Sequence, residues 1–167
     1  MDQVTTLLII ESALRIIIGL RFLNSGISNV LRWPHATQTA KIIFLRGSYF
    51  FGLVATALMV LGGSGLTLGF QTPVAALMLI VFLIPTFQLH RHWLQVLPNT
   101  LKSVGESITN EEAKGQFRLI GRQAIHSHEV GWQTNIVLLV ISLFFCARGS
   151  AAFGLDNLMD SWVVRIF

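Results

Sequence analysis

"VAALMLIVFLIP", residues 74–85, decides the fold. It carries no charge, and its apolar side chains run on without the alternation that a membrane barrel strand shows over about ten residues. Backbone that faces lipid must satisfy its own N–H and C=O groups, so a run of this kind crosses a bilayer as a helix. The rest of the chain agrees. Of its 167 residues, 53% are hydrophobic and 12% are charged, against about 25% charged in a soluble domain. The sequence predicts a single all-α domain, an integral membrane four-helix transmembrane bundle.

Outward from that stretch, spans are expected at 4–30, 42–68, 73–93 and 132–153. Each holds at least the ~20 residues that cross about 30 Å of hydrocarbon. "RWPHAT", "GFQTP" and "LPNT" mark the joints, and the short second joint makes spans two and three a tight antiparallel hairpin. Trp93 and Trp132 flank the third loop, 94–131, as interfacial anchors. The acidic "MDQ" start and the charges of the first run are unlike a cleaved signal, so the first span is expected to stay. The single Cys146 excludes an internal disulfide and is read as a packing residue.

Basic residues set the expected sidedness. Arg32, Lys41 and Arg46 edge the first loop, and Arg91, Lys102, Lys114, Arg118 and Arg122 lie in or beside the third. The other side has only Arg148 and Arg165. The first and third loops are therefore expected in the cytoplasm and both termini outside. The net charge of +4 sits beside apolar spans, where anionic lipid is a simpler partner than nucleic acid.

Within the third loop, Thr109 and Glu112 fit a capping box. Ala113, Phe117, Ile120 and Ala124 follow at helical spacing, with Lys114, Arg118 and Arg122 on the neighbouring face. An amphipathic cytoplasmic helix lying on anionic lipid is the preferred reading, and a docking surface for a partner protein is the alternative.

The first span has the most unusual chemistry. At about 100° per residue, Glu11, Ser12, Arg15, Gly19, Phe22, Gly26 and Asn29 share one sector. Its glycines let a neighbouring backbone come close, so the stripe should face the bundle. Glu11 stands four residues before Arg15, the favourable order for a helix ion pair. A mid-span arginine costs about 2.5–3.5 kcal/mol to insert, which pairing and backbone carbonyls would offset. Two readings stay open for the stripe: an interhelical clamp, or a polar pocket for a quinone headgroup, a proton or an anion. Arg21 points elsewhere, toward cytoplasmic headgroups or another subunit.

All five histidines, His35, His90, His92, His126 and His128, fall on the expected cytoplasmic side. In "HRH" and "HSH" the two rings are about 200° apart on a helix, so neither pair is a ready-made chelate. A metal or haem site with one histidine from each pair is the weaker alternative to interfacial histidines. No phosphate-cradling loop, zinc pattern or nucleophile with a base is present; a small transporter stays a further alternative, with Pro85 placed to kink the third helix but no internal repeat to support it. Gly65 and Gly69, four apart in "GSGLTLG", are expected to shape the second joint rather than a dimer.

"LRIIIGLRFLNSGISNV", residues 14–30, resembles the opening helix of the DoxX/DoxD family of small four-helix membrane proteins, with Arg15, Gly19 and Gly26 in the family's places. "GSGLTLGFQTPVAAL" resembles its second joint through Gly69, Thr72 and Ala75. "FQLHRHW" supplies its histidine, here His90. "TNIVLLVISLFFCARGSAAFGLD" resembles its fourth helix, from Asn135 to Leu155 and Asp156. The chain departs from the family at Asn24, Ser25 and Asn29, where many members carry a histidine and a lysine. It also has no acid between Arg46 and Gly69. The resemblance implies a prokaryotic cytoplasmic membrane protein with one of two roles. One is an accessory subunit of a larger redox complex, with Arg21 and the third loop meeting other subunits. The other is a quinone-reducing subunit of a thiosulfate:quinone oxidoreductase, with Glu11, Arg15 and His90 at quinone, the cofactor this second role implies.

Overall fold

A computed structural model describes residues 2–159, 163, 164 and 166; Arg165, counted in the topology, lies outside them. Five helices follow one another: α1 (Gln3–Leu31), α2 (Trp33–Ile43), α3 (Ser48–Leu68), α4 (Thr72–Ser107) and α5 (Glu111–Arg148), then a 3-10 turn at Leu155–Asn157. No strand occurs among the described residues. The helices α3, α4 and α5 are long and apolar enough to cross a membrane. The 29 residues of α1 reach about 44 Å at ~1.5 Å each.

In the bundle α1 packs on α3, α3 on α4 and α4 on α5, while α2 lies over α3. Ile18, Phe22, Met59, Leu66, Leu79, Leu83, Leu138 and Phe145 form the core, and Cys146 packs among them as expected. Ile17, Leu61, Ile84, Val137 and Val140 point outward, the apolar surface a bilayer covers. The contact between α1 and α3 is backbone on backbone at Gly19 and Gly63. A Cβ on Gly63 would lie 2.6 Å from the Leu23 nitrogen and 2.9 Å from the Gly19 oxygen. Gly62 and Gly65 do the same for α3 against Ala75 of α4, so these glycines build the hairpin.

Several boundaries differ from expectation. "RWPHAT" breaks the chain only at Arg32; Pro34 sits in the first turn of α2, where no intrahelical N–H is lost. The second span therefore begins at Ser48, after the left-handed Gly47 (φ 75°), because Ile42 and Ile43 complete α2. The fourth ends at Arg148 rather than 153, where Gly149 takes φ 74° and ψ −154°, a conformation open essentially to glycine alone.

The largest correction concerns 94–131. "LPNT" does not end the third helix, and α4 runs through Pro85 and Pro98 to Ser107. Proline removes a single donor per site, and packing along α5 keeps the rest of the helix in place. With α4 about 54 Å and α5 about 57 Å long, the pair exceeds a ~30 Å hydrocarbon core by more than 20 Å. The expected loop is the protruding end of an antiparallel hairpin that turns at residues 108–110. The cap of α5 is Asn110, whose side chain accepts from the Ala113 nitrogen at 3.0 Å, and not the Thr109–Glu112 box. The inward face also shifts. Gly121 lies against Leu101 and Phe117 against Gly105, whereas Ile120 is 63% exposed. This segment packs on α4 rather than lying alone along a membrane.

Candidate functional site: the arginine lock, the histidine pair and the hairpin

Arg15 is 1% exposed, the largest fully buried side chain described. Its Nη1 donates to the Leu66 carbonyl at 2.7 Å and its Nη2 to the Phe153 carbonyl at 2.9 Å. The guanidinium presses on Gly69, whose left-handed φ of 63° ends α3 and which has no Cβ to obstruct the approach. From the other side of the same turn, the Asp156 carboxylate accepts from the Gln71 nitrogen at 2.6 Å and the Thr72 nitrogen at 2.9 Å. It thereby caps α4, where a negative charge meets the positive end of the helix dipole. The Asp156 nitrogen donates to the Gly69 carbonyl at 2.8 Å, and Arg15 and Asp156 attract one another across the turn. Ser12 adds a bond to the Ala152 carbonyl at 3.1 Å. Residues 150–157 are thus strapped over the joint between α3 and α4 by α1.

The predicted stripe is real: Ser12, Arg15, Gly19, Phe22 and Gly26 are buried, with Glu11 and Asn29 half-buried beside them. Its pairing is different. Glu11 binds Arg148 of α5 at 3.1 Å instead of Arg15, because Arg15 is turned into the α3–α4 turn. Asn29 donates to the Met59 sulfur at 3.6 Å, and Arg21 is exposed. Asp156 was not foreseen as a partner of this stripe; its one sequence signal was its place in the motif after the fourth helix.

Toward the other end of α4 the two histidine pairs each contribute one ring. His90 Nδ1 and His128 Nδ1 are 3.1 Å apart, and Trp93 stacks on His128 with ring centroids 5.8 Å apart. His92 is exposed, and His126 pairs with Glu129 at 3.7 Å. Thr72 and His90 are separated by about 27 Å of helix. Glu11, Arg15 and His90 are therefore not brought together.

A cavity of about 420 Å³ opens between α2, α3 and α4, lined by Asn29, Phe44, Met59, Phe82, Pro85 and Thr86 among others. Its polar groups are few. The Thr86 hydroxyl donates to the Leu83 carbonyl and accepts from Asn135 at 2.8 Å, while Asn29 keeps one free donor and the Thr39 hydroxyl lies on the same lining. On the protruding hairpin, Lys102 of α4 and Arg118 and Arg122 of α5 line a groove with Gly105 and Gly115, in which Glu106 is the single acid, so its charge is net positive. None of the three basic residues forms an ion pair among the described residues, whereas Lys114 is held by Glu111 at 3.2 Å.

Residues 10–92, about half the chain, match the family model described as DoxX. The match takes in most of α1, all of α2 and α3, and α4 as far as His92; the rest of α4 and α5 lie beyond it. Comparison with curated proteins and with solved structures finds no match. The arginine, glycines and joint that carry the resemblance thus lie within the matched segment, and through it this membrane protein belongs to the DoxX family.

Proposed function

We propose that this chain is an accessory, non-catalytic subunit of a larger membrane redox complex, in which four helices, α1, α3, α4 and α5, span the cytoplasmic membrane. The α4–α5 hairpin projects into the cytoplasm to hold a partner. The observation that carries this reading is the length of both helices, more than 20 Å beyond a ~30 Å hydrocarbon core, with Lys102, Arg118 and Arg122 on one groove without an ion pair among the described residues. Such a surface fits an acidic face of another subunit. The stripe supports the same reading, because Arg15 spends its donors on carbonyls that hold the fold. The docking role of Lys114, Phe117, Arg118, Ile120 and Arg122 is preferred to a lipid-surface role because the segment packs along α4 as half of a helical hairpin.

The quinone reading fits less well. Glu11, Arg15 and His90 do not form one site. The apolar cavity offers few polar groups, at Asn29, Thr39 and Thr86, and no acid or base to supply protons. It suits a lipid chain better than a reacting headgroup.

The test is charge reversal in the hairpin. A Lys102→Glu/Arg118→Glu/Arg122→Glu chain should insert and fold normally yet lose photocrosslinks from residue 119 to its partner. Crosslinking at wild-type yield would overturn the docking role.

A further inference from the structure

The histidine pair at the root of the hairpin is used neither by the fold's lock nor by the proposed docking groove. Its geometry is specific. The two rings come from different helices, meet Nδ1 to Nδ1 at 3.1 Å, and cross at 63°. Each is held from behind. Gly131, three residues after His128, has no Cβ; one placed there would lie 3.0 Å from both Nδ1 and Nε2 of His90. Trp93 covers His128 at an interplanar angle of 18°. Both imidazoles are therefore positioned before any ligand arrives.

In the absence of a ligand one Nδ1–H donates to the other Nδ1. An ion bound to both nitrogens at about 2.0–2.1 Å, with the nitrogens 3.1 Å apart, subtends an angle near ~100°, between the tetrahedral and square arrangements. We infer that His90 and His128 form a two-imidazole chelate for a borderline divalent ion such as Zn2+ or Cu2+. Imidazole favours these ions over Mg2+ or Ca2+. On binding, the donor ring shifts its proton to Nε2, which has no hydrogen-bond partner among the described residues, so a neutral pair releases no net proton. No third His, Cys, Asp or Glu completes a set among the described residues. Water fills the remaining positions, leaving them exchangeable. The ion would tie α4 to α5 where the hairpin leaves the membrane.

The experiment uses the full chain without an affinity tag, folded in mild detergent, titrated with Zn2+ by calorimetry and with Cu2+ by electron paramagnetic resonance. The expected result is one saturable equivalent of Zn2+. His90→Gln and His128→Gln should each weaken it by at least about tenfold, since altering outer-shell partners alone costs about 10–100-fold. A His92→Gln/His126→Gln chain should bind as the wild type does. Should either single variant fail to fold, the wild-type Cu2+ spectrum decides: coupling to two imidazole nitrogens supports the site, and any other number overturns it. Absence of saturable binding by the folded wild type, or equal affinity in folded His90→Gln, also overturns it.

Discussion

Arg15→Met isolates what the buried guanidinium does. Methionine fills most of the volume of the arginine stem, so the cavity contribution is small. The loss is then the two hydrogen bonds to the Leu66 and Phe153 carbonyls. Charge-assisted bonds are worth about 1.5–3 kcal/mol each in soluble proteins. Interhelical bonds in membranes average about 0.6 and reach about 1.7 kcal/mol, because the unfolded chain in lipid also finds partners. Two bonds on the membrane scale give about 1–3.5 kcal/mol. The upper half applies, since the Phe153 carbonyl loses its donor and Asp156 its countercharge, whereas Leu66 keeps the Gly69 N–H. The expected cost is about 2–3 kcal/mol, roughly 30- to 150-fold in the folding equilibrium. Reversible unfolding in mixed micelles, followed by circular dichroism as SDS is raised, measures it. Glu11→Gln is the comparison: it keeps a hydrogen-bonding side chain of the same size beside Arg148, which is half exposed, and should cost less than Arg15→Met. Equal costs for the two variants, or an unchanged midpoint in Arg15→Met, would refute the lock.

Other substitutions test neighbouring parts of the account. Gly63→Ala puts a methyl against the α1 backbone and should cost about 1–3 kcal/mol, whereas Gly115→Ala meets nothing within 4 Å and should be neutral or gain up to about 1 kcal/mol; the same unfolding assay ranks them. Asn110→Ala removes the cap of α5 and should cost about 1 kcal/mol, seen as faster amide exchange confined to the residues just after the turn. Asp156→Ala strips two backbone donors of their acceptor at the start of α4. It should lower the unfolding midpoint as far as Arg15→Met does, and the double variant should cost less than the sum.

What the sequence made legible follows from which interactions are local. The buried stripe of α1 was readable because helical periodicity alone places Ser12, Arg15, Gly19, Phe22 and Gly26 together. The partner of Arg15 was not. Backbone carbonyls 51 and 138 residues away leave no residue-type signal, and the i, i+4 rule pointed to Glu11, which instead meets Arg148 from 137 residues away. Proline and polar composition made 94–131 look like a loop, and tertiary packing of α4 on α5 overrode both. The histidines show the opposite balance. Their two-residue spacing correctly separates His90 from His92 and His126 from His128. Only the register of the hairpin selects His90 and His128 to meet.

Recovery of the native complex tests the central claim most directly. Membranes are solubilised in mild detergent and the mass of the assembly containing this chain is measured, with wild-type and hairpin charge-reversed chains in parallel. An accessory subunit should appear in a stoichiometric complex with larger subunits, and Lys102→Glu/Arg118→Glu/Arg122→Glu should release it as a folded chain. A wild-type chain that runs alone while carrying bound quinone would contradict the account.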